Sequence, residues 1–230
     1  MIKVMHEDGV VKYVPRHRPA TLEAGLASLN ISVQAKELIQ IIQELNEART
    51  ELHDLNLIGV SPAGTGFGNL SHYLADGMFV ISGSGTGAPR ILGAHGYCLV
   101  QQVSPEANEV CSTGPVQPSS ESMTHAAVYA ALPEIPFAIR CVIHVHSSTL
   151  FAYYLPKAPG TPASAAYGTP ELARAVRQLI PALHTANGFF VLTGHQDGLV
   201  FFGDTVKHTM ETIRLALQHA ENAPSLRHSV

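Results

Sequence analysis

The six residues Cys141–His146, CVIHVH, constrain the fold of this chain more than any other stretch. They read as a buried strand, and residues two apart on a strand share a face. His144 and His146 therefore project together, while Val145 enters the opposite core. Such a strand needs cover on both of its faces, and the flanking sequence offers helices to supply it. Ala35, Leu38, Ile41, Ile42, Leu45, Ala48 and Leu52 follow the three-to-four spacing of one buried helical face, which predicts a helix over 33–55 capped by Ser32. Further helices are expected from Ser119 or Ser120 to Leu132, over Glu171–Leu179 and over Asp204–Glu221.

Strands are expected at Met78–Ser82, Tyr97–Val103, Phe189–Thr193 and Leu199–Phe202. The first 18 residues read as a short hairpin around an Asp8-Gly9 turn. The Gly-rich run GVSPAGTGFGNLS at 59–71 is incompatible with a regular element, and GSGTG at 83–87 forms a second Gly-rich loop. Helices and strands alternate without a strict βαβ rhythm. An α/β fold in layers, around a mixed or antiparallel sheet, follows. At 230 residues, with 46% hydrophobic residues, the chain suits one large domain spanning 1–230. Charged residues are only 14%, against about a quarter in an ordinary soluble domain, and this shortage favours an oligomer that covers part of the surface.

Net charge is −4 and no run of Lys or Arg occurs, which argues against nucleic acid as a partner. No apolar stretch is long enough to span a bilayer, and the first residues lack an apolar signal core, so no membrane role is expected. The three cysteines, Cys98, Cys111 and Cys141, form no C-x-x-C pair and suit free thiols in a reducing, cytoplasmic setting.

Four groups of residues could carry chemistry. Paired imidazoles at His144 and His146 suit a divalent transition metal, zinc above all, although an isolated H-x-H pair equally suits two satisfied histidines at a strand end. Ser119-Ser120-Glu121 would open a helix, with Glu121 in the first turn, hydroxyls and N–H groups forming an anion site, and His125 on the same face; an ordinary helix cap uses the same residues. His195 stands in a Gly-rich turn and could add a third imidazole from a remote strand. The Gly-rich loops around Asn69 and around Ser84-Gly85 allow close backbone approach to a phosphate. Together they have one economical explanation: a three-histidine metal site, a carboxylate acid/base beside it and an anion pocket nearby.

The order of these pieces is Gly-Asn-x-Ser, Ile-Ser-x-Ser-Gly, Pro-Ser-Ser-Glu-x-x-x-His, His-x-His, Tyr-Gly-Thr-x-Glu-Leu and Gly-His. In that order, from about Leu38 to about Leu217, the chain resembles the class II aldolase/adducin family. The resemblance implies a three-layer α/β/α fold with a central mainly antiparallel sheet, and a homotetramer with each active site near a subunit boundary. It implies that His144, His146 and His195 bind one divalent metal per subunit, zinc in most members, with manganese, cobalt or iron as alternatives. Glu121 matches the acid/base. Asn69, Ser84, Gly85, Ser119 and Ser120 match positions that hold a substrate phosphate. The implied activity is an aldolase acting on a small hydroxy-carbonyl compound through a metal-stabilised enediolate. A related dehydratase or decarboxylase and a non-catalytic adducin-like binding domain are the alternatives.

Three departures from the family pattern stand out. His72 replaces the arginine that often follows Gly-Asn-x-Ser. Gln196 and Asp197 lengthen the turn after His195. The segment between His146 and Tyr167 is shorter than in the sugar-phosphate aldolases, where it carries an aromatic acid/base from across the boundary. Tyr153, Tyr154 and Tyr167 are the candidates here. Residues 1–30 form an extension outside the resemblance, and a subunit contact is expected of them.

Overall fold

The computed structural model describes residues 11–29 and 31–223. In chain order the elements are β1 (Val14–Pro19), α1 (Leu22–Ala27), α2 (Ala35–Asp54), β2 (Gly59–Val60), β3 (Gly66–Phe67), β4 (Asn69–Ala75), β5 (Met78–Ser82), β6 (Tyr97–Ser104) and β7 (Glu109–Gly114). They continue with α3 (Ser122–Ala130), β8 (Cys141–His146), α4 (Ser148–Tyr154), α5 (Pro170–Ala182), β9 (Gly188–Val191), β10 (Gly198–Gly203) and α6 (Val206–Glu221). Eight strands make one sheet in the order β1-β7-β6-β5-β4-β8-β10-β9. Every pairing in it is antiparallel except β1 with β7.

Two apolar clusters sandwich the sheet, giving the three layers expected. One joins α1, α2, α4 and α6 to Leu70, Val80, Ile143, Val145 and Phe201. The other joins α3 and α5 to Phe79, Ile81, Val142, Val200 and Phe202. Strand parity sorts the residues: Ile143 and Val145 face the first layer, and Val142 faces the second. His144 and His146 share the parity of Val142, so they lie on the face that carries α3.

Several boundaries differ from the sequence reading. The helix expected at 33–55 is Ala35–Asp54, because the backbone is still extended at Gln34, which makes no side-chain cap bond; Ser32 lies outside it. The 59–71 run does contain regular structure. Gly64, at φ +83°, lets the chain turn back so that β2 pairs with β3, and β4 already begins at Asn69. The expected Asp8-Gly9 turn lies outside the described residues. The strand that follows begins at Val14 and pairs in parallel with β7 of the same chain.

Candidate active site

β8 lies between β4 and β10, and its register sets the site. Asn69 is opposite His144 across β4, and Gly198 is opposite His146 across β10. A methyl group on Gly198 would sit 2.6 Å from Cδ2 of His195 and 3.2 Å from Cε1 of His144, so this position must stay bare for the imidazoles to converge. His195 stands in the β9–β10 turn, where its N–H donates to Leu192 O at 2.9 Å and its carbonyl accepts from Gly198 N at 3.0 Å. Of the two residues that lengthen this turn, Asp197 has a structural role. It adopts φ +63°, and its carbonyl accepts from Ser147 N at 2.8 Å, which docks the turn on the end of β8.

The three histidines present ring nitrogens within 4.8 Å of one another. His146 Nε2 is 3.0 Å from Nε2 of both His144 and His195. A single proton on His146 could serve only one of those contacts. His144 Nδ1 lies 3.0 Å from the Leu199 carbonyl, which fixes the tautomer with its proton on Nδ1 and turns the Nε2 lone pair toward the cluster. Nitrogens 3.0 Å apart can share one ion at the roughly 2.0–2.1 Å typical of zinc–imidazole bonds. The donor set therefore fits a divalent metal.

Glu121 is buried and forms the N-cap of α3 rather than part of its first turn. Before the helix, Ser122 N donates to the Ser119 carbonyl at 3.0 Å in a turn, and the buried Tyr13 hydroxyl lies 3.0 Å from both the Pro118 and Ser119 carbonyls. The Glu121 side chain makes no capping bond to the helix. Its Oε2 accepts instead from the Thr124 hydroxyl at 2.8 Å. A carboxylate that caps engages the helix N–H groups; this one engages a first-turn hydroxyl instead. His125 does not serve as its partner in that bond, for its Nδ1 lies 2.7 Å from Ser71 Oγ, which also lies 2.8 Å from the Tyr129 hydroxyl.

A cleft of about 280 Å³ unites His144, His146, His195 and Glu121 with Asn69, Ser84, Gly85, Ser119 and Ser120, while His125, on α3, does not line it. That volume lies near the lower end of the roughly 300–1,000 Å³ that holds drug-sized ligands, and it suits a small molecule. Of the three tyrosines considered, Tyr167 lines the cleft, its ring 4.8 Å from that of His195. Tyr153 and Tyr154 pack against each other, and Tyr154 also against Phe189. His72 alternates away from Asn69 and Ser71 and lies outside the cleft.

Sequence reasoning missed Thr124, Tyr13 and Lys12. Thr124 follows Glu121 at the three-residue spacing of one helix face and was findable. Tyr13 and Lys12 carried no such signal. The Lys12 ammonium lies 3.6 Å over the Tyr167 ring and donates to the Tyr167 carbonyl at 3.2 Å, so the N-terminal segment buttresses the wall behind His195.

Burial pushes His125 down to about 3, with the nearby His144 adding to the effect, and the same two causes push His146 down to about 3. Both therefore stay neutral in the folded chain where an unfolded histidine, near 6.5, takes a proton. Stability of the metal-free protein is full above pH 6.5 and falls as pH drops from there toward 3, because the unfolded chain binds more protons. Each histidine contributes up to about a tenfold change in the unfolding constant per pH unit. The urea midpoint of metal-free protein should be clearly lower at pH 5 than at pH 7.5; an unchanged midpoint would contradict the neutral assignment.

The family profile of the Class II Aldolase and Adducin N-terminal domain matches residues 62–222. No curated protein matches the sequence. Among solved structures, a sugar-phosphate aldolase from Thermotoga maritima is similar with a TM-score of 0.62 at 15% identity, covering 80% of this chain and 93% of that one. YgbL from Klebsiella pneumoniae, described as a candidate aldolase/epimerase/decarboxylase, gives 0.59 at 18% identity, covering 83% and 91%. An L-fuculose 1-phosphate aldolase gives 0.52 at 17% identity, covering 79% and 82%. At these identities the likeness establishes a shared fold.

Proposed function

The chain belongs to the class II aldolase and adducin family, and on that premise we propose that it is a divalent-metal-dependent carbon–carbon lyase for a small hydroxy-carbonyl compound with an anionic end. The observation that carries this reading is the convergence of three imidazoles beside a buried carboxylate that is not spent on capping its helix. His144, His146 and His195 would hold the ion, with zinc favoured by the all-imidazole donor set. When bound, the ion supplies Lewis-acid polarisation of a substrate carbonyl.

The chain's own groups supply the rest. Glu121 takes the proton from the reacting carbon or returns it, and the Thr124 hydroxyl holds the carboxylate in one rotamer for that transfer. The hydroxyls of Ser84, Ser119 and Ser120 and the amide of Asn69 bind the anionic end, and Gly85, at φ +72°, leaves the backbone open to it. Tyr167 shields His195 from water. A homotetramer in the cytoplasm, with Lys12 and its neighbours near a subunit boundary, completes the proposal.

The test is retro-aldol cleavage of a panel of ketose phosphates by zinc- or manganese-loaded protein, with products identified by mass. Two carbonyl fragments support the lyase. Loss of water or carbon dioxide from the same panel would reassign the chain to a dehydratase or decarboxylase built on the same site. No product from folded, metal-loaded protein would sink the catalytic reading and favour a binding domain.

A further inference from the structure

Among the described residues, those lining the cleft include no lysine and no arginine. An anionic substrate would therefore meet no cationic side chain from the described residues of this chain there. A cation does stand behind the wall. Arg49, on α2, is only 2% exposed, and among the described residues no carboxylate pairs with it. Its guanidinium donates instead to four backbone carbonyls of a single loop: Thr86 at 2.6 Å, Gly87 at 3.2 Å, Arg90 at 2.9 Å, and Pro89. The same loop is pinned to α2 a second time by the Arg90–Asp54 pair, with both bonds at 2.6 Å.

Burying a whole charge costs several kcal/mol unless hydrogen bonds compensate it. Here the compensation is spent on one short stretch that forms a wall of the cleft. In a trans peptide the C=O and the following N–H point opposite ways, and no described peptide is cis. Carbonyls of Thr86 and Gly87 drawn toward Arg49 turn the N–H groups of Gly87 and Ala88 away from it. Gly87 is fixed in place from the other side, where an added Cβ would lie 2.2 Å from the Gly59 carbonyl. Thr86 and Gly87 both line the cleft.

We infer that Arg49 is a positioning residue for anion recognition: from behind the loop it orients and polarises the peptide groups of 86–88, so that the cleft binds an anionic end without a lysine or arginine of the described residues touching it. The inference rests on the proposed reading for the identity of the substrate, but anion binding can be measured without that reading. The probe is inorganic phosphate, titrated calorimetrically into zinc-loaded protein. Arg49→Met removes the charge and the donors while keeping much of the bulk; Arg49→Lys keeps the charge but cannot bridge four carbonyls.

Phosphate affinity should fall about tenfold or more in Arg49→Met, the size of one hydrogen bond to a charged group, with zinc stoichiometry unchanged. Arg49→Lys should lie between that variant and the wild type. The loss should also be less than additive with Ser84→Ala, which places phosphate in the loop rather than on the metal. A folded Arg49→Met that binds phosphate within twofold of wild type overturns the inference. Should that variant fail to fold, wild-type affinity in Arg49→Lys does the same. Wild-type protein that holds zinc but no phosphate overturns it too and leaves the lyase reading standing; absence of bound metal strikes that reading alone, since the phosphate titration is still readable.

Discussion

His195→Ala is expected to strip the protein of its divalent ion while leaving the fold intact. His195 is the proposed ligand best suited to this test because it sits in a turn, whereas His144 and His146 belong to an interior strand. Two imidazoles would remain on β8, a set that rarely holds a divalent ion on its own. Even changes one shell beyond the ligands cost about 10–100-fold in metal affinity, so loss of a ligand should cost at least the upper end of that range. Elemental analysis of untagged protein should show near-stoichiometric metal in the wild type and almost none in the variant. The apolar clusters are untouched by the change, so metal-free wild type and variant should melt within a few degrees of one another. Full metal occupancy in the variant would remove His195 from the site.

Glu121→Gln is expected to abolish turnover and to leave the metal in place. The amide keeps the length of the side chain, and its carbonyl oxygen can still accept from Thr124. It cannot carry the proton. General acid–base groups contribute about 10²–10⁴-fold, and a loss of kcat in that range is the expected result. The opposing view makes Glu121 an ordinary helix cap. On that view Glu121→Gln would change stability slightly and catalysis not at all. The absence of any capping bond from this side chain already argues against it, and a kcat within threefold of wild type would restore it.

The site was more legible in the sequence than the fold around it. Alternation in CVIHVH was enough to put His144 and His146 on one face, because strand parity is a local rule. The ordered motifs then brought in His195 and Glu121 from distant segments. β4 and β7 stayed hidden for a different reason. NLSHYLA begins inside a Gly-rich run, and EVCSTG lacks a clear alternation; both become strands because neighbouring strands pair with them. β1 was misplaced because nothing local reveals a parallel partner nearly a hundred residues away. Arg49 left a signal that went unread: it is a cation on the same helical face as Leu45 and Leu52, and a charge inside an apolar stripe needs an explanation.

The strand order also bears on when the ion can be bound. β8 gains its neighbours from β4, long since synthesised, and from β10, which emerges later. Such pairings across long loops form slowly, because loop closure must be completed before the contacts reward it. The third imidazole reaches the other two only after β10 has docked along β8. This order predicts that the three imidazoles converge late in folding, after the apolar layers that carry them have packed. If the proposed ion is bound, it should therefore enter a completed protein through the mouth of the cleft, and a chelator is expected to empty the site without unravelling the sheet.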